Sequence, residues 1–293
     1  MKAVLKISRF IVGIIALTIA TTTLAGSIVV VALQSESFRA WLIKSGLEYI
    51  QPYVLGKIEI GDISGNPVFG LKLLNVKLIS SSGSNVISTP QIDLNYQLLP
   101  FTKKNILAKV FIHNPDINLT RSNIDSVWNF TQLFKPSNDT TSKPFNFNIE
   151  VSSFEIENGN IHFDDNTILP INYIDSSLDY SHINLQDLNV SLSAKINSKS
   201  QNVIIQNLKF YLPKNDIRVL ELSGDFAVDS TGTKVDKLRL ETDKTLANIT
   251  ASIDSLNILK PENMKEWKKF PVKLSLSSPR ISTLELRKFI PSL

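Results

Sequence analysis

From Lys57 onward the apolar residues of this chain fall on alternate positions. Ile58 and Ile60 alternate with Lys57, Glu59 and Gly61, and Ile92, Leu94, Tyr96 and Leu98 alternate with Gln91, Asp93, Asn95 and Gln97. Successive side chains of an extended strand point to opposite faces, so the pattern describes strands with one apolar and one wet face. An amphipathic helix would space its apolar residues three and four apart. The alternation returns at Phe145, Phe147, Ile149 and Val151, and continues through Val203–Leu212, Arg218–Val228, Val235–Leu240 and Leu246–Ile253. Ile106–Ile112 is apolar at both parities and reads as a more central strand. Turn-forming clusters separate the runs at Gly65-Asn66-Pro67, Ser80–Asn85 and Asn114-Pro115-Asp116. The chain is therefore expected to be mainly β, with strands that are chiefly antiparallel.

A loose repeat runs through these strands. Leu71-Lys72-Leu73-Leu74-Asn75-Val76-Lys77-Leu78 is similar to the stretch from Ile183 to Leu192, and Val203–Leu212 and Lys234–Leu240 echo it. The shared element is a strand, a polar step and a second alternating run. Repetition of one β unit suggests an elongated architecture. The result is a long one-sided apolar face, and such a face must be covered. One covering is a closed sandwich. The other is a curved, partly open sheet whose concave side holds acyl chains. Alternation alone does not choose. The residues expected to line such a groove are Leu71, Leu73, Ile92, Leu94, Tyr96, Phe147, Ile149, Leu185, Val190 and Leu192. In a sandwich the same residues are ordinary core.

The first 35 residues have a different character. Lys2, Lys6 and Arg9 precede Phe10–Leu33, a stretch of 24 residues without a charge. At about 1.5 Å of rise per residue, a helix of this length crosses a hydrocarbon core about 30 Å thick. Basic residues before the span keep the N-terminus on the cytoplasmic side and put the bulk of the chain across the membrane. Thr23-Leu24-Ala25 offers the rival reading of a cleavable signal, but apolar residues resume at Ile28-Val29-Val30-Val31, longer than a signal core of about 7–15 residues. An amphipathic helix is expected over about Glu36–Gln51, with Trp41 and Tyr49 either at the membrane–water boundary or plugging the β region. Lys135–Lys143 is polar and reads as a linker, which divides the chain into an anchor (1–35), a first β unit (36–134), a linker (135–144) and a continuing β unit (145–293). Short helices are expected at Ser126–Phe134, Pro261–Phe270 and Ser282–Phe289.

Composition narrows the chemistry. There are 31 basic and 27 acidic residues, and setting aside Lys2, Lys6 and Arg9 leaves 28 against 27. The exported part is near neutral and shows no basic footprint for nucleic acid. The chain has no cysteine, which removes thiolate nucleophiles, cysteine metal sites and stabilising disulfides. The three histidines, His113, His162 and His182, have no metal-ligand spacing. His162 and Asp164 share a strand parity and are the best candidates for a metal or catalytic pair, but Asp164-Asp165-Asn166 reads better as a turn. Glu155 and Glu157 read as solvent-facing charges. No phosphate-binding or nucleophile-elbow motif is present. The expectation is a protein without catalytic residues, metal or cofactor.

In order along the chain, the charged start and single span, the Trp41-Leu42 helix, Gly56-Lys57-Ile58-Glu59-Ile60-Gly61-Asp62-Ile63-Ser64-Gly65, Phe69–Val76, Ile92-Asp93-Leu94-Asn95-Tyr96, Leu98-Leu99-Pro100, Ile106–Phe111, Trp128-Asn129-Phe130 and Phe154–Asp165 together resemble the AsmA-like family. The similarity covers about residues 1–165. It implies a protein anchored in the bacterial inner membrane by one N-terminal helix, with an elongated, curved β-groove in the periplasm and a few short helices. The implied role is movement of phospholipid between the inner and outer membranes, with acyl chains as ligand and an outer-membrane barrel as a partner. The alternative is a scaffold that assists outer-membrane protein assembly by strand addition.

Overall fold

The computed structural model describes residues 40, 43–48, 51–66, 70–97, 105–135, 148–171, 177–257 and 269–289. The expected span Phe10–Leu33, Trp41, Tyr49, Phe147 and most of the expected linker and of the helix Pro261–Phe270 lie outside these residues. Among the described residues no helix is long and apolar enough to cross a membrane.

The alternating runs form twelve strands of one sheet: β1 (Lys57–Asn66), β2 (Gly70–Ile79), β3 (Asn85–Gln97), β4 (Asn105–His113), β5 (Asp116–Arg121), β6 (Asn148–Asp165), β7 (His182–Ile196), β8 (Gln201–Leu212), β9 (Ile217–Asp229), β10 (Gly232–Thr242), β11 (Leu246–Asp254) and β12 (Val272–Arg280). Neighbours in space are mostly neighbours in sequence, in the order β1-β2-β3-β4-β6-β7-β8-β9-β10-β11-β12. Strand β5 continues β4 beyond a break at Asn114 and the buried Pro115, since both pair with β3 on one side and β6 on the other. Proline cannot donate to a ladder, so it belongs at such a break.

One pairing departs from the antiparallel expectation. Strands β4 and β5 run parallel to β6. A parallel neighbour needs a connection that returns the chain to the starting end. Part of that connection is the segment after β5. It holds the expected helical turn as a 3₁₀ turn at Asn129–Gln132, with Trp128 stacked 4.8 Å from Phe163 of β6.

The alternation does not run straight through the strands. In β2 the apolar positions are 71 and 73, then 76 and 78; in β7 they are 183 and 185, then 188 and 190. Asn75 and Asp187 stand at the switch with φ of 51° and 54°. Asn158 of β6, Lys237 of β10 and Asn114 between β4 and β5 also have positive φ. A single left-handed residue acts as a bulge and resets the pleat, so apolar residues before and after it keep to one face. The polar step of the repeat is this reset. Asn and Asp tolerate the conformation best after glycine. On β6, Asn158 reaches both neighbours. Its side-chain amide donates to Asn114 Oδ1 at 2.9 Å, and its N–H donates to Asn189 Oδ1 at 3.2 Å. Asn75, Asn114, Asn158 and Asp187 thus stand level with one another and form a crease across β2–β7.

Val86, Ile217, Val219 and Thr242 are fully buried at one set of strand ends, and Leu256 at the other, where its C=O accepts from Thr233 Oγ1 at 2.7 Å. Val54, Val86 and Leu133 are buried where the stretch before β1 meets the 3₁₀ turn through Leu55 N–H to Leu133 C=O (2.9 Å) and Lys135 N–H to Tyr53 C=O (3.0 Å). At the same ends of β7–β9, Leu178, Leu212 and Ile217 form a small core with Ile183, Leu185 and Phe210. The helix Thr283–Phe289 docks there: buried Glu285 accepts from Thr242 Oγ1 at 2.6 Å, and Lys288 Nζ donates to Asn215 C=O at 2.6 Å.

Candidate functional site: rows of apolar side chains across the sheet

Residues directly opposite in a ladder point to the same face. The register therefore threads side chains into rows that cross the strands. One row runs Ile63, Leu73, Ile92, Ile112, Ile156, Val190, Leu208, Leu222, Leu240, Ala247, one residue from each of ten successive strands. Every member is apolar. At about 4.8 Å between strands the row spans roughly 43 Å. A second row runs Leu71, Leu94, Val110, Phe154, Leu192, Ile205 to Gly224. A third runs Tyr96, Ala108, Val151, Ala194, Val203, Phe226, Val235, Ala251, Leu274. A fourth joins Ile106, Ile149 and Ile196, then passes through Gln201 to Val228.

Gly224 is the gap in the second row. A Cβ there would come within 2.9 Å of Leu238 Cα and 3.3 Å of Leu238 Cδ1. Leu238 follows the left-handed Lys237, and it leans over the glycine and resumes the row through Ile249 and Leu276.

The face made by these rows is neither bare nor sealed. Leu71, Leu73, Ile92, Leu94, Tyr96, Ile149, Leu185, Val190 and Leu192 are all half-buried. These are the expected lining residues apart from Phe147. The register sets Leu71, Leu94 and Leu192 in one row and Leu73, Ile92 and Val190 in another. Tyr96 lies in the third row and Ile149 in the fourth. Leu185 sits across the crease, opposite Ile161, and packs on the small core. Burial of the Tyr96 phenol raises its pKa above the ordinary tyrosine value, because burial disfavours the charged phenolate.

Residues that alternation did not single out are Ile63, Val110, Ile112, Phe154, Leu208, Leu222 and Leu240. Most lay in alternating runs, whereas Val110 and Ile112 lay in a run apolar at both parities and Ile63 off the parity of Ile58 and Ile60; membership in a row depends on register. Register in turn depends on bulges such as those between Val151 and Phe154 or Ile205 and Leu208. The available signal was the i, i+2, i+5, i+7 spacing around a polar residue.

The opposite face carries the polar side chains. His113 lies between Asp93 (Nε2 to Oδ2, 3.2 Å) and Glu157 (Nδ1 to Oε2, 3.3 Å) on three adjacent strands, with its ring 4.0 Å from that of Phe111. His162 pairs with Asp116 at 3.6 Å, and Asp164 stands opposite His182 in the ladder. His162 and Asp164 thus have separate neighbours and make no shared site. The expected turn at Asp164–Asn166 is displaced slightly: β6 runs to Asp165, and the turn at Asn166–Thr167 is closed by Ile168 N–H to Asp165 C=O at 3.0 Å, with the Asp165 carboxylate taking hydrogen bonds from Thr167 and Arg121. The hydrogen bonds from Thr167, with Arg121 adding to them, outweigh burial and hold the Asp165 carboxyl below the usual carboxylate range. Among the described residues no group of three His, Asp or Glu side chains is placed to hold a metal ion.

Comparison with protein-family models and with curated proteins found no match for this chain.

Proposed function

We propose that the apolar face is a track for acyl chains, in a protein of the AsmA-like kind resembling the N-terminal part of TamB. In this reading the chain is anchored in the bacterial inner membrane by Phe10–Leu33. The sheet curves into a groove in the periplasm, and phospholipid moves along it toward the outer membrane. The observation that carries the proposal is the unbroken row from Ile63 to Ala247, apolar at all ten strands and flanked by rows of the same kind. Half-burial of the eight residues between Ile63 and Ala247 in the row supports it too. A core would exclude solvent from these side chains, whereas a track must leave them reachable.

The physics requires no catalytic group. An acyl chain gains about 0.8 kcal/mol for each CH₂ removed from water. Along a uniform apolar row the gain is nearly the same at each strand, so a chain can slide with small barriers. A charge in the row breaks this uniformity, since an unpaired ion in an apolar setting is costly.

The test uses a photo-crosslinking phenylalanine analogue in the full chain in its native membrane. Placed at Val110, on the apolar face, it should label phospholipid. Placed at Lys109, one residue on and on the other face, it should not. Leu94→Asp, beside Val110 in the same row, should cut labelling at Val110 by about tenfold, as expected for roughly 1.4 kcal/mol of lost affinity. Equal labelling at both positions, or none at Val110 in a folded protein, would remove the track.

A further inference from the structure

Just ahead of β1 the chain forms a cleft of about 560 Å³, lined by Lys44, Leu47, Glu48, Gln51, Pro52 and Lys135. Small-molecule sites run from about 300 to 1,000 Å³, so a headgroup-sized ligand fits. Two separate pieces of chain build the cleft. Lys44, Leu47 and Glu48 come from the helical residues 43–48, and Gln51 and Pro52 from the 3₁₀ turn that follows. Lys135 comes from beyond the Asn129–Gln132 turn. It is held by its N–H to Tyr53 C=O at 3.0 Å and by the bridge between Val54 and Phe134.

The three charged groups of the cleft point to a ligand. Lys57, close by, is tied to Glu59 at 2.6 Å. Lys44, Glu48 and Lys135 are exposed and make no such pair among the described residues, although Lys44 and Glu48 stand one helical turn apart. The surroundings are apolar. Tyr53 is 67% exposed, Leu55 45% and Phe134 54%. Ile58, the second residue of β1, begins a further row that runs Ile58, Leu78, Ile87, Ile117, Ile161, Leu185. Its six members are half-buried, and the reset at Asn75 puts Leu78 on the face of Leu73. Charges in a cleft with an apolar row starting a few residues away suit an amphiphile better than a free anion.

We propose that the cleft holds the headgroup of a zwitterionic phospholipid, an ethanolamine ester of phosphate. The phosphate lies between Lys44 and Lys135, and the ammonium meets Glu48. A lysine is a compact point charge that donates charge-assisted hydrogen bonds to phosphate oxygens. The carboxylate sets the preference: it repels a headgroup that carries only negative charge and attracts one with an amine. Residues 34–50 are all that separate the uncharged Phe10–Leu33 from Gln51, so along the chain the cleft is the described site nearest that stretch. That the cleft faces a bilayer rests on the anchored, acyl-track reading; the match of its charges to the headgroup does not.

The test places the photo-crosslinking analogue at Gln51 in the full chain, reconstituted in nanodiscs of equal parts phosphatidylethanolamine and phosphatidylglycerol. Lipid adducts are identified by mass spectrometry. The ethanolamine lipid should dominate. Lys44→Gln combined with Lys135→Gln should cut labelling about tenfold, as expected when charge-assisted hydrogen bonds are removed. Glu48→Gln should keep the labelling and shift it toward phosphatidylglycerol. Lys57→Gln should change neither, which separates the cleft from a general attraction of basic residues to the bilayer. All these positions are exposed, and circular dichroism verifies that the fold is kept. Labelling that survives loss of both lysines, or a lipid preference that Glu48→Gln does not move, overturns the proposal. So does labelling that inorganic phosphate abolishes, because the site then takes a free anion. Lysine-dependent labelling at Gln51 without labelling at Val110 would leave the headgroup site standing and remove the track; labelling at Val110 with lysine-independent labelling at Gln51 would do the reverse.

Discussion

Asn75 shows how much a single backbone angle controls here. It is exposed, yet its φ of 51° lets Leu73 and Val76 serve one face of β2. A β-branched residue resists this conformation by about 1–2 kcal/mol. Asn75→Val should therefore lower stability by about that amount, whereas Asn75→Gly should not, and urea unfolding of the two variants separates them. Asp179 makes a different contribution. Burial pushes its carboxyl up, but the N–H groups of Ile171 (2.9 Å) and Ser181 (3.0 Å) and the ring of His182 (3.0 Å) together hold it below the ordinary range. A depressed folded-state value means that the unfolded chain takes up its proton first as pH falls. The stabilisation is thus complete above the unfolded aspartate value of about 4 and drains away below it. Stability of the native protein should fall on acidification through that window, and Asp179→Asn should flatten this limb. Denaturant midpoints measured between about pH 3 and pH 7 check the slope.

Among the elements, β5 depends most on a side chain. Past Ile117 it has no strand beside it on the β3 side. Asn129 substitutes for one: its Oδ1 accepts from Thr120 N–H at 3.1 Å and its Nδ2 donates to Asn118 C=O at 2.7 Å. Asn129→Ala leaves two strand groups without partners, at a cost of about 1–3 kcal/mol. The expected result is a lower melting temperature with faster amide exchange at Thr120. Strands such as β3, β8 and β11 were legible in the sequence because period two is a property of each strand alone. The helix Thr283–Phe289 and the turn at Asn129 were legible as interruptions of that period. The parallel pairing of β4 with β6 was not, because nothing local distinguishes a neighbour added by a hairpin from one added by a crossover. The nine described candidates were picked by parity, yet parity could not group them into rows. The similarity between the stretches around Asn75 and Asp187 was visible, while its cause, a left-handed residue, exists only in three dimensions.

For the whole molecule, strands touch their ladder neighbours and little else. Stability in such an array is close to a sum of nearest-neighbour terms. Hydrogen exchange should be slowest in β6–β8, which have partners on both sides, and fastest at β12. A single exchange rate across the sheet would mean that the strands unfold as one unit. The crease has a further consequence for size. The resets lie on some strands and their neighbours follow in register, so adding a hairpin does not disturb the phase of the strands before it. Two strands lengthen the sheet by about 9.6 Å. The distance covered by the rows is therefore a count of hairpins, and a chain of this design works as a ruler whose divisions can be added one pair at a time.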